Sequence, residues 1–204
     1  MPSLGSLTAF AALAGLVNVA SAATEVKLNS GVCSSLPRAF YIPDKGFSMV
    51  GDVSLYAVGT GTALDNLGPL WGSIRESQRG LPAWETMALY NETGYARYLI
   101  GCQDDTGLAS FLSETKTIRI NTDRDSTLVI GNYGLMPEPY SYFIDGAKQP
   151  GVYIGAAGEV RWAFSNATSN GIAFWKPRLL VATELNPSGG VVREGEVQGF
   201  IVAK

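Results

Sequence analysis

The chain has 204 residues, a net charge of −3 and a charged fraction of only 16%. No basic stripe is present that could follow a phosphate backbone, so nucleic-acid binding is not expected. Histidine is absent, which excludes Ser-His-Asp and Cys-His machinery and ordinary zinc or copper sites, because all of these need an imidazole. The composition therefore predicts a protein with no metal site and no cofactor.

The N-terminus predicts export. Residues 7–20 form an apolar stretch rich in Ala and Gly, and Ala20-Ser21-Ala22 follows as a small-x-small cleavage pattern. The stretch is too short for a good membrane span. We expect a signal peptide over 1–22, a single all-β domain over 23–204 with no membrane span, and a secreted, extracellular or cell-wall-associated location. The alternative for the leader is a buried N-terminal helix.

The rest of the chain has the pattern of many short strands joined by turns. Gly, Pro, Asn and Asp punctuate it at short intervals, and no long run has convincing helical spacing. The pattern predicts an antiparallel β-sandwich (jelly-roll-like) or a closed β-barrel of about ten short strands. Besides two hairpins, strands are predicted at 25–28, 53–58, 87–90, 96–101, 140–144, 152–154, 178–184 and 197–203.

The first predicted hairpin covers residues 115–131. Ile118 and Ile120 alternate with Thr117 and Arg119, so that one face is apolar and the other is polar. A polar segment then turns the chain before a second apolar strand returns.

The second predicted hairpin alternates Val160, Trp162 and Phe164 with mostly polar residues. We expect a turn over Asn166–Gly171 and a returning strand at Ile172–Trp175. The two tryptophans are expected to pack in the core, since both lie in strongly apolar strands.

Two other segments carry specific expectations. Leu70 to Arg79 is the least β-like part of the chain, and it predicts one or two helical turns ended by Gly80 and Pro82. Leu179–Ala182 is apolar on both faces, which is typical of a central strand.

Cysteine and asparagine patterns agree with an exported protein. Cys33 and Cys102 are the two cysteines, and an even count in an oxidising compartment predicts one disulfide between them. Two buried free thiols are the alternative. The sequons at Asn91 and Asn166 predict N-glycosylation in segments expected to be turns.

Catalytic residues cannot be assigned from the sequence. Carboxylates, Lys, Tyr and Arg remain as possible acids and bases, but no spacing brings a particular pair together. Asn121, Asp123 and Asp125 alternate like the start of a calcium loop, yet the Gly and the distant Glu of such a loop are missing. A solvated turn is therefore predicted there.

Aromatic side chains suggest a binding face. Tyr140 and Tyr142 alternate along one strand, so they share a face that could stack on sugars or flat apolar ligands. Arg161 and Lys176 flank the two tryptophans and could line a pocket mouth. These four residues are the predicted ligand-binding set. The alternative for the tyrosines is core packing, the more common role of strand aromatics, although the neighbouring Pro-Glu-Pro segment suggests an exposed approach.

Two classes of function follow. The first is a secreted, non-catalytic β-domain that binds a glycan, cell-wall or host-surface ligand through exposed aromatics. The second is a β-barrel that binds or converts a small hydrophobic molecule by cyclase- or isomerase-type chemistry, using carboxylate or Tyr groups without metal or histidine. The predicted partner is thus a carbohydrate or a small hydrophobic molecule, and the non-catalytic class is favoured.

Overall fold

The structure is a computed structural model, and every regular element in the part of the chain that it describes is a β-strand. The described residues are 22–31, 34–36, 39–42, 47–50, 55–59, 64, 70–76, 84–90, 100–103, 107–110, 116–122, 125–169, 171–184 and 186–203. The predicted signal peptide lies outside them at all but its last residue. No helix within these ranges is long and apolar enough to cross a membrane.

The described residues form sixteen strands. They are β1 Thr24–Leu28, β2 Ala39–Ile42, β3 Phe47–Val50, β4 Leu55–Gly59, β5 Leu70–Glu76, β6 Trp84–Tyr90, β7 Ile100–Gln103, β8 Gly107–Ser110, β9 Lys116–Asn121, β10 Thr127–Ile130, β11 Glu138–Ile144, β12 Ala147–Lys148, β13 Val152–Gly155, β14 Arg161–Ser169, β15 Ile172–Leu179 and β16 Glu196–Ala203.

Eleven strands lie along one antiparallel path in the order β1-β11-β13-β16-β14-β15-β6-β10-β9-β8-β7. β12, β4 and β5 pair with β11, β16 and β6 respectively, and β2 and β3 form a separate two-stranded sheet. The path is open, because β1 and β7 at its two ends do not pair with each other among the described residues. The prediction of an all-β, antiparallel protein is confirmed.

The first predicted hairpin is confirmed. β9 and β10 pair antiparallel with Ile120 opposite Leu128 and Ile118 opposite Ile130. The two isoleucines of β9 are fully buried, whereas Thr117 and Arg119 on the other face are only partly buried.

The second hairpin is longer than predicted. β14 continues through Asn166 to Ser169, and Ser169 pairs with Ile172, so only two residues make the turn. The expected turn over Asn166–Gly171 is therefore wrong. Asn-Gly is the preferred pair for a two-residue hairpin turn because both positions need a positive φ, and Gly171 has φ 79°.

Two other local predictions are wrong. Leu70–Glu76 is strand β5 rather than helical turns, because it finds a partner in β6 that local spacing does not reveal. The predicted strand at 178–184 ends at Leu179, where it closes β15, and 180–184 is not a strand. β15 is nevertheless central, since it lies between β14 and β6.

The central strands are apolar on both faces, and each face carries its own cluster. Ile201 and Ala203 belong to the larger cluster, while Val202 between them belongs to the second. The larger cluster includes Trp162, which is fully buried and donates its indole N–H to the Ile154 carbonyl at 2.7 Å. The expectation that Trp162 is a core residue is confirmed.

A buried ion pair joins β15 to the start of β16. The Arg178 guanidinium donates from Nε and Nη2 to the two carboxylate oxygens of Glu196 at 3.0 and 2.6 Å. The side chains are only 3% and 8% exposed. Arg178 also donates to the carbonyls of Gly189 and Val191 at 2.6 and 2.9 Å. The pair thus holds the 186–195 connection against the sheet.

The environment of Glu196 favours its charged form. Burial raises the pKa of the Glu196 carboxyl, but the hydrogen bonds from Arg178 and from the Arg193 amide, together with both positive charges, outweigh burial and leave the pKa below its ordinary value. Arg193 also extends the network to the surface, because its guanidinium binds Asp125 at 2.6 and 2.7 Å.

Candidate functional site

The predicted tyrosine face is buried. Tyr140 and Tyr142 are only 3% and 9% exposed. They lie in the second apolar cluster, where the Tyr142 ring centroid is 5.2 Å from Tyr153 and 5.0 Å from Phe200. The predicted exposure of these rings is therefore wrong, and core packing describes them. The physical reason is that β1 and β13 flank β11, and the rings of Tyr153 on β13 and Phe200 on β16 pack against Tyr142 on the same face.

The Tyr140 hydroxyl is part of a local polar network. It donates to the Glu138 carboxylate and accepts from the Gly158 amide at 2.9 Å. Burial and the hydrogen bond to Glu138 raise the pKa of Tyr140 to about 12. The hydroxyl therefore stays neutral and ties the turn between β13 and β14 to β11, which is a structural arrangement rather than that of an acid or base.

The structure brings only one predicted cation to the tyrosines. Arg161 lies near Tyr142, where burial raises the pKa of the phenol and the Arg161 charge opposes that rise. Glu159 already engages the Arg161 guanidinium at 2.9 and 2.5 Å. Lys176 pairs with Ser165, four residues along β14 from Arg161 and thus about 13 Å away. The four predicted residues do not form one site, and ligand binding by them stays a prediction.

Tyr133, which the strand patterns do not single out, is exposed, unlike Tyr140 and Tyr142. Tyr133 is 82% exposed, the most of any aromatic side chain in the described part of the chain. It lies on the loop 131–135 between β10 and β11. The signal available in the sequence was the Gly-Asn-Tyr-Gly segment, which places an aromatic between turn-forming residues.

The Tyr133 loop is fixed at both ends against β9. The Gly131 amide donates to the Thr117 carbonyl, and Leu135 and Ile120 exchange two backbone hydrogen bonds, all at 2.9 Å. The loop thus crosses β9 from one edge to the other.

Gly134 makes the close crossing possible. Its φ is +112°, and a Cβ there would lie 2.2 Å from the Ile120 carbonyl oxygen. Only glycine fits this approach, so the backbone that presents the Tyr133 ring is held in one arrangement.

Arg119 lies next to this loop. It shares a face of β9 with Thr117, and both side chains touch the loop segment: the Thr117 hydroxyl donates to the Gly131 carbonyl at 2.5 Å, and the Arg119 guanidinium contacts the Met136 sulfur. Arg119 is partly buried, and its buried Nε has no hydrogen-bond acceptor among the described residues. No carboxylate of the described residues is within ion-pair distance of Arg119.

A separate groove of about 600 Å³ lies near the end of β16. Its lining residues are Ser35, Leu36, Lys148, Gln149, Pro150, Gly151, Val152 and Ala203. The groove is open to solvent and mostly apolar, and neither a carboxylate nor a tyrosine lines it. It could hold a small apolar molecule, but it offers few groups for acid–base chemistry.

The next feature is the arrangement of acidic groups in the described residues. No group of three or more His, Cys, Asp or Glu residues there could hold a metal ion. In the calcium-like pattern, Asp123 lies outside the described residues. The Asp125 carboxylate accepts from Arg193 and from the Asn186 amide, the latter at 3.1 Å, so its oxygens face donors rather than an open site.

Of the residues predicted to form the disulfide and to carry glycans, the structure describes Cys102 and Asn166. Asn166 is exposed, in β14 rather than in a turn, and lies opposite Trp175. Cys102 lies in β7, while Cys33 and Asn91 fall outside the described residues. The disulfide and both glycans stay predictions.

Fold and site together define an open antiparallel β-domain with a buried tyrosine cluster and a rigid loop that exposes one aromatic ring. Compared with known proteins, the chain matches no family model and no curated protein sequence. Function is therefore inferred from the chemistry of the chain's own residues.

Proposed function

We propose that the chain is a secreted, non-catalytic β-domain that binds a glycan on a cell wall or host surface, with Tyr133 as its contact aromatic. The observation that carries the proposal is the 82% exposure of this ring on a loop fixed to β9 at both ends. An aromatic face stacks on the apolar face of a sugar ring, and the phenol adds a hydrogen-bonding group. A loop whose backbone is already held in place loses little conformational freedom on binding.

The rest of the described structure supports binding rather than chemistry. The core tyrosines are enclosed, and the glutamates beside Tyr140 and Arg161 are engaged by hydrogen bonds. The open path of the described strands supports a binding surface rather than chemistry inside a closed barrel. The predicted leader and the exposed sequon residue Asn166 support export.

A glycan array probed with the labelled mature chain tests the proposal. We expect Tyr133→Ala to lose binding to any oligosaccharide that the wild type retains. Its melting temperature should stay within a few degrees of the wild type, because exposed side chains contribute little stability. Leu28→Ala is the matched control, since Leu28 is a 60% exposed apolar residue on β1; it should bind normally.

Gly134→Ala provides a second variant that leaves the aromatic ring intact. A Cβ at this position must displace the loop from β9, so binding should weaken although Tyr133 is still present. Unchanged glycan binding by Tyr133→Ala, or no binding by the wild type to any sugar on the array, would contradict the proposal.

The open groove favours a second candidate, a binder of small hydrophobic molecules. Leu36 and Val152 give it an apolar lining, and Lys148 could face a polar end of the ligand. Titration with a panel of apolar metabolites tests this candidate, with Val152→Trp as the variant expected to fill the groove and abolish binding. Equal binding by wild type and Val152→Trp would reject the groove as the site.

A further inference from the structure

Two reciprocal hydrogen bonds join the start of β1 to the turn that follows β11. The Ala23 backbone nitrogen donates to the Asp145 carboxylate oxygen Oδ1 at 2.8 Å, and the Asp145 amide donates to the Ala23 carbonyl at 2.8 Å. The strand pairing begins at the next residue, where Thr24 lies opposite Ile144. The β1–β11 ladder therefore ends at a carboxylate that accepts from the nitrogen of residue 23.

The turn fixes the position of this carboxylate. Asp145 and Gly146 connect β11 to β12, with Ile144 opposite Ala147. Both turn residues have positive φ, 49° and 76°, which is the type I′ conformation that Asp-Gly favours in two-residue hairpins. A turn this short leaves the backbone little freedom, so the Asp145 side chain is held beside the start of β1.

The sequence predicts leader removal at the same position. Ala20-Ser21-Ala22 is a small-x-small pattern that places the cut between Ala22 and Ala23. Both residues beside the cut are exposed, and the first residue of β1 is Thr24. Cleavage there would leave the whole of β1 in the mature chain, with Ala23 as its first residue.

Cleavage changes the chemistry of the contact between Ala23 and Asp145. Hydrolysis by a signal peptidase adds one water across the Ala22–Ala23 peptide bond, so that Ala22 receives the oxygen as a carboxylate and the Ala23 nitrogen becomes a primary amine. An α-amine has an ordinary pKa of about 8 and is mostly protonated at neutral pH. A neutral amide donor is thereby replaced by a cation, and charge-assisted hydrogen bonds are the stronger kind.

We infer that Asp145 is the receptor for the mature amino terminus, binding the α-ammonium group that cleavage after Ala22 creates. The inference rests on the export part of the proposed function and is independent of glycan binding. It gives the cleavage position a structural role. β1 lies at one end of the sheet path, and chain ends that are not tied down are often poorly ordered, so the ion pair would anchor the terminal strand.

The first test identifies the amino terminus. The full chain is expressed in a host with a secretory pathway, and the terminal peptide of the protein in the medium is sequenced by mass spectrometry. Ala23 should be the first residue. A different first residue, or a chain that keeps its leader, would overturn the inference.

The second test measures the charge state of the new amine. The secreted chain is treated at pH 7 with an aldehyde reagent selective for α-amines, which attacks only the neutral amine. Asp145→Asn should react about two- to fivefold faster than wild type, as expected when an exposed ion pair is lost. Asn also tolerates the left-handed backbone, so the turn is retained. The difference should shrink in 1 M NaCl, because salt screens exposed charges.

Two controls separate the ion pair from other effects. Glu25→Gln removes the same charge near Ala23, but Glu25 pairs with Lys27, so this variant should react like the wild type. A mature chain that begins at Ala22 keeps Asp145 and the same terminal residue type but moves the ammonium by about 3.8 Å. It should react as fast as Asp145→Asn.

The outcomes distinguish the inference from the proposed function. Equal reactivity of wild type and Asp145→Asn, both beginning at Ala23, would overturn the receptor role and leave export intact. An equal increase for Glu25→Gln would assign the effect to net charge and would also overturn it. An uncut leader would reject export together with the receptor role, whereas glycan binding is decided separately by the Tyr133 variant.

Discussion

Glu196→Gln should destabilise the protein strongly although it changes few atoms. The carboxylate accepts two hydrogen bonds from Arg178, and both side chains are less than one-tenth exposed. The substitution leaves a buried arginine without its counter-charge, and breaking one partner of such a pair costs about 3 kcal/mol or more. For a domain of this size that corresponds to a fall in melting temperature of about 6–12 °C.

Glu25→Gln is the matched control. Glu25 pairs with Lys27 at 3.2 Å, but both side chains are more than half exposed, so its loss should change stability by less than about 1 kcal/mol. Urea unfolding of wild type and both variants at pH 7 measures the difference. Equal effects of the two substitutions would refute the reasoning from burial.

The pH dependence gives an independent check. The folded-state pKa of Glu196 lies below its ordinary value. Its contribution is therefore complete above the ordinary Glu pKa of about 4.3 and is lost as the pH falls through the folded-state value. The stability gap between wild type and Glu196→Gln should narrow from pH 6 towards pH 3. A constant gap would show that the charge of Glu196 does not produce the effect.

Three further predictions concern the core and the covalent structure. Tyr140→Phe should lower the free energy of unfolding at pH 7 and make it less dependent on pH above 10. The folded-state pKa of Tyr140 is raised to about 12, so the wild type should lose about 2–3 kcal/mol of stability as the pH rises from 10 to 12. Equal alkaline unfolding of both proteins would contradict this. Tyr142→Ala should cost about 3–5 kcal/mol in urea unfolding, as for an aromatic removed from a core. A cost below about 1 kcal/mol would show that the ring is not part of the core. The unfolded, unreduced protein should take up no alkylating reagent if Cys33 and Cys102 are paired, and a mass gain of two alkyl groups would reject the disulfide.

Local patterns in the sequence predicted several elements correctly for identifiable reasons. The alternation around Ile118 and Ile120 places two buried side chains on one face of β9, and a polar segment separates β9 from β10. Trp162 lies in an apolar strand and is buried, as its neighbours suggest. Such features depend on the period of the strand and on turn chemistry, which act over a few residues.

Other features depend on which strands meet. The alternation of Tyr140 and Tyr142 correctly puts both rings on one face, but only the pairing of β11 with β1 and β13 makes that face apolar and enclosed. Leu70–Glu76 has weak strand character and becomes a strand because β6 supplies its hydrogen bonds. β1 is far from β11 in the sequence, whereas β6 is the next strand after β5.

Composition alone decided that imidazole chemistry is unavailable, and the alternation of side chains with regularly spaced turn residues predicted a chain of strands. Residue types and a period of two are local properties. The tertiary structure decided which side chains are exposed to solvent. It encloses the tyrosines of β11, joins Arg178 to Glu196 across 18 residues, and carries Tyr133 over β9 to an exposed position. Exposure and charge pairing depend on contacts between distant segments, and only the folded chain brings those segments together.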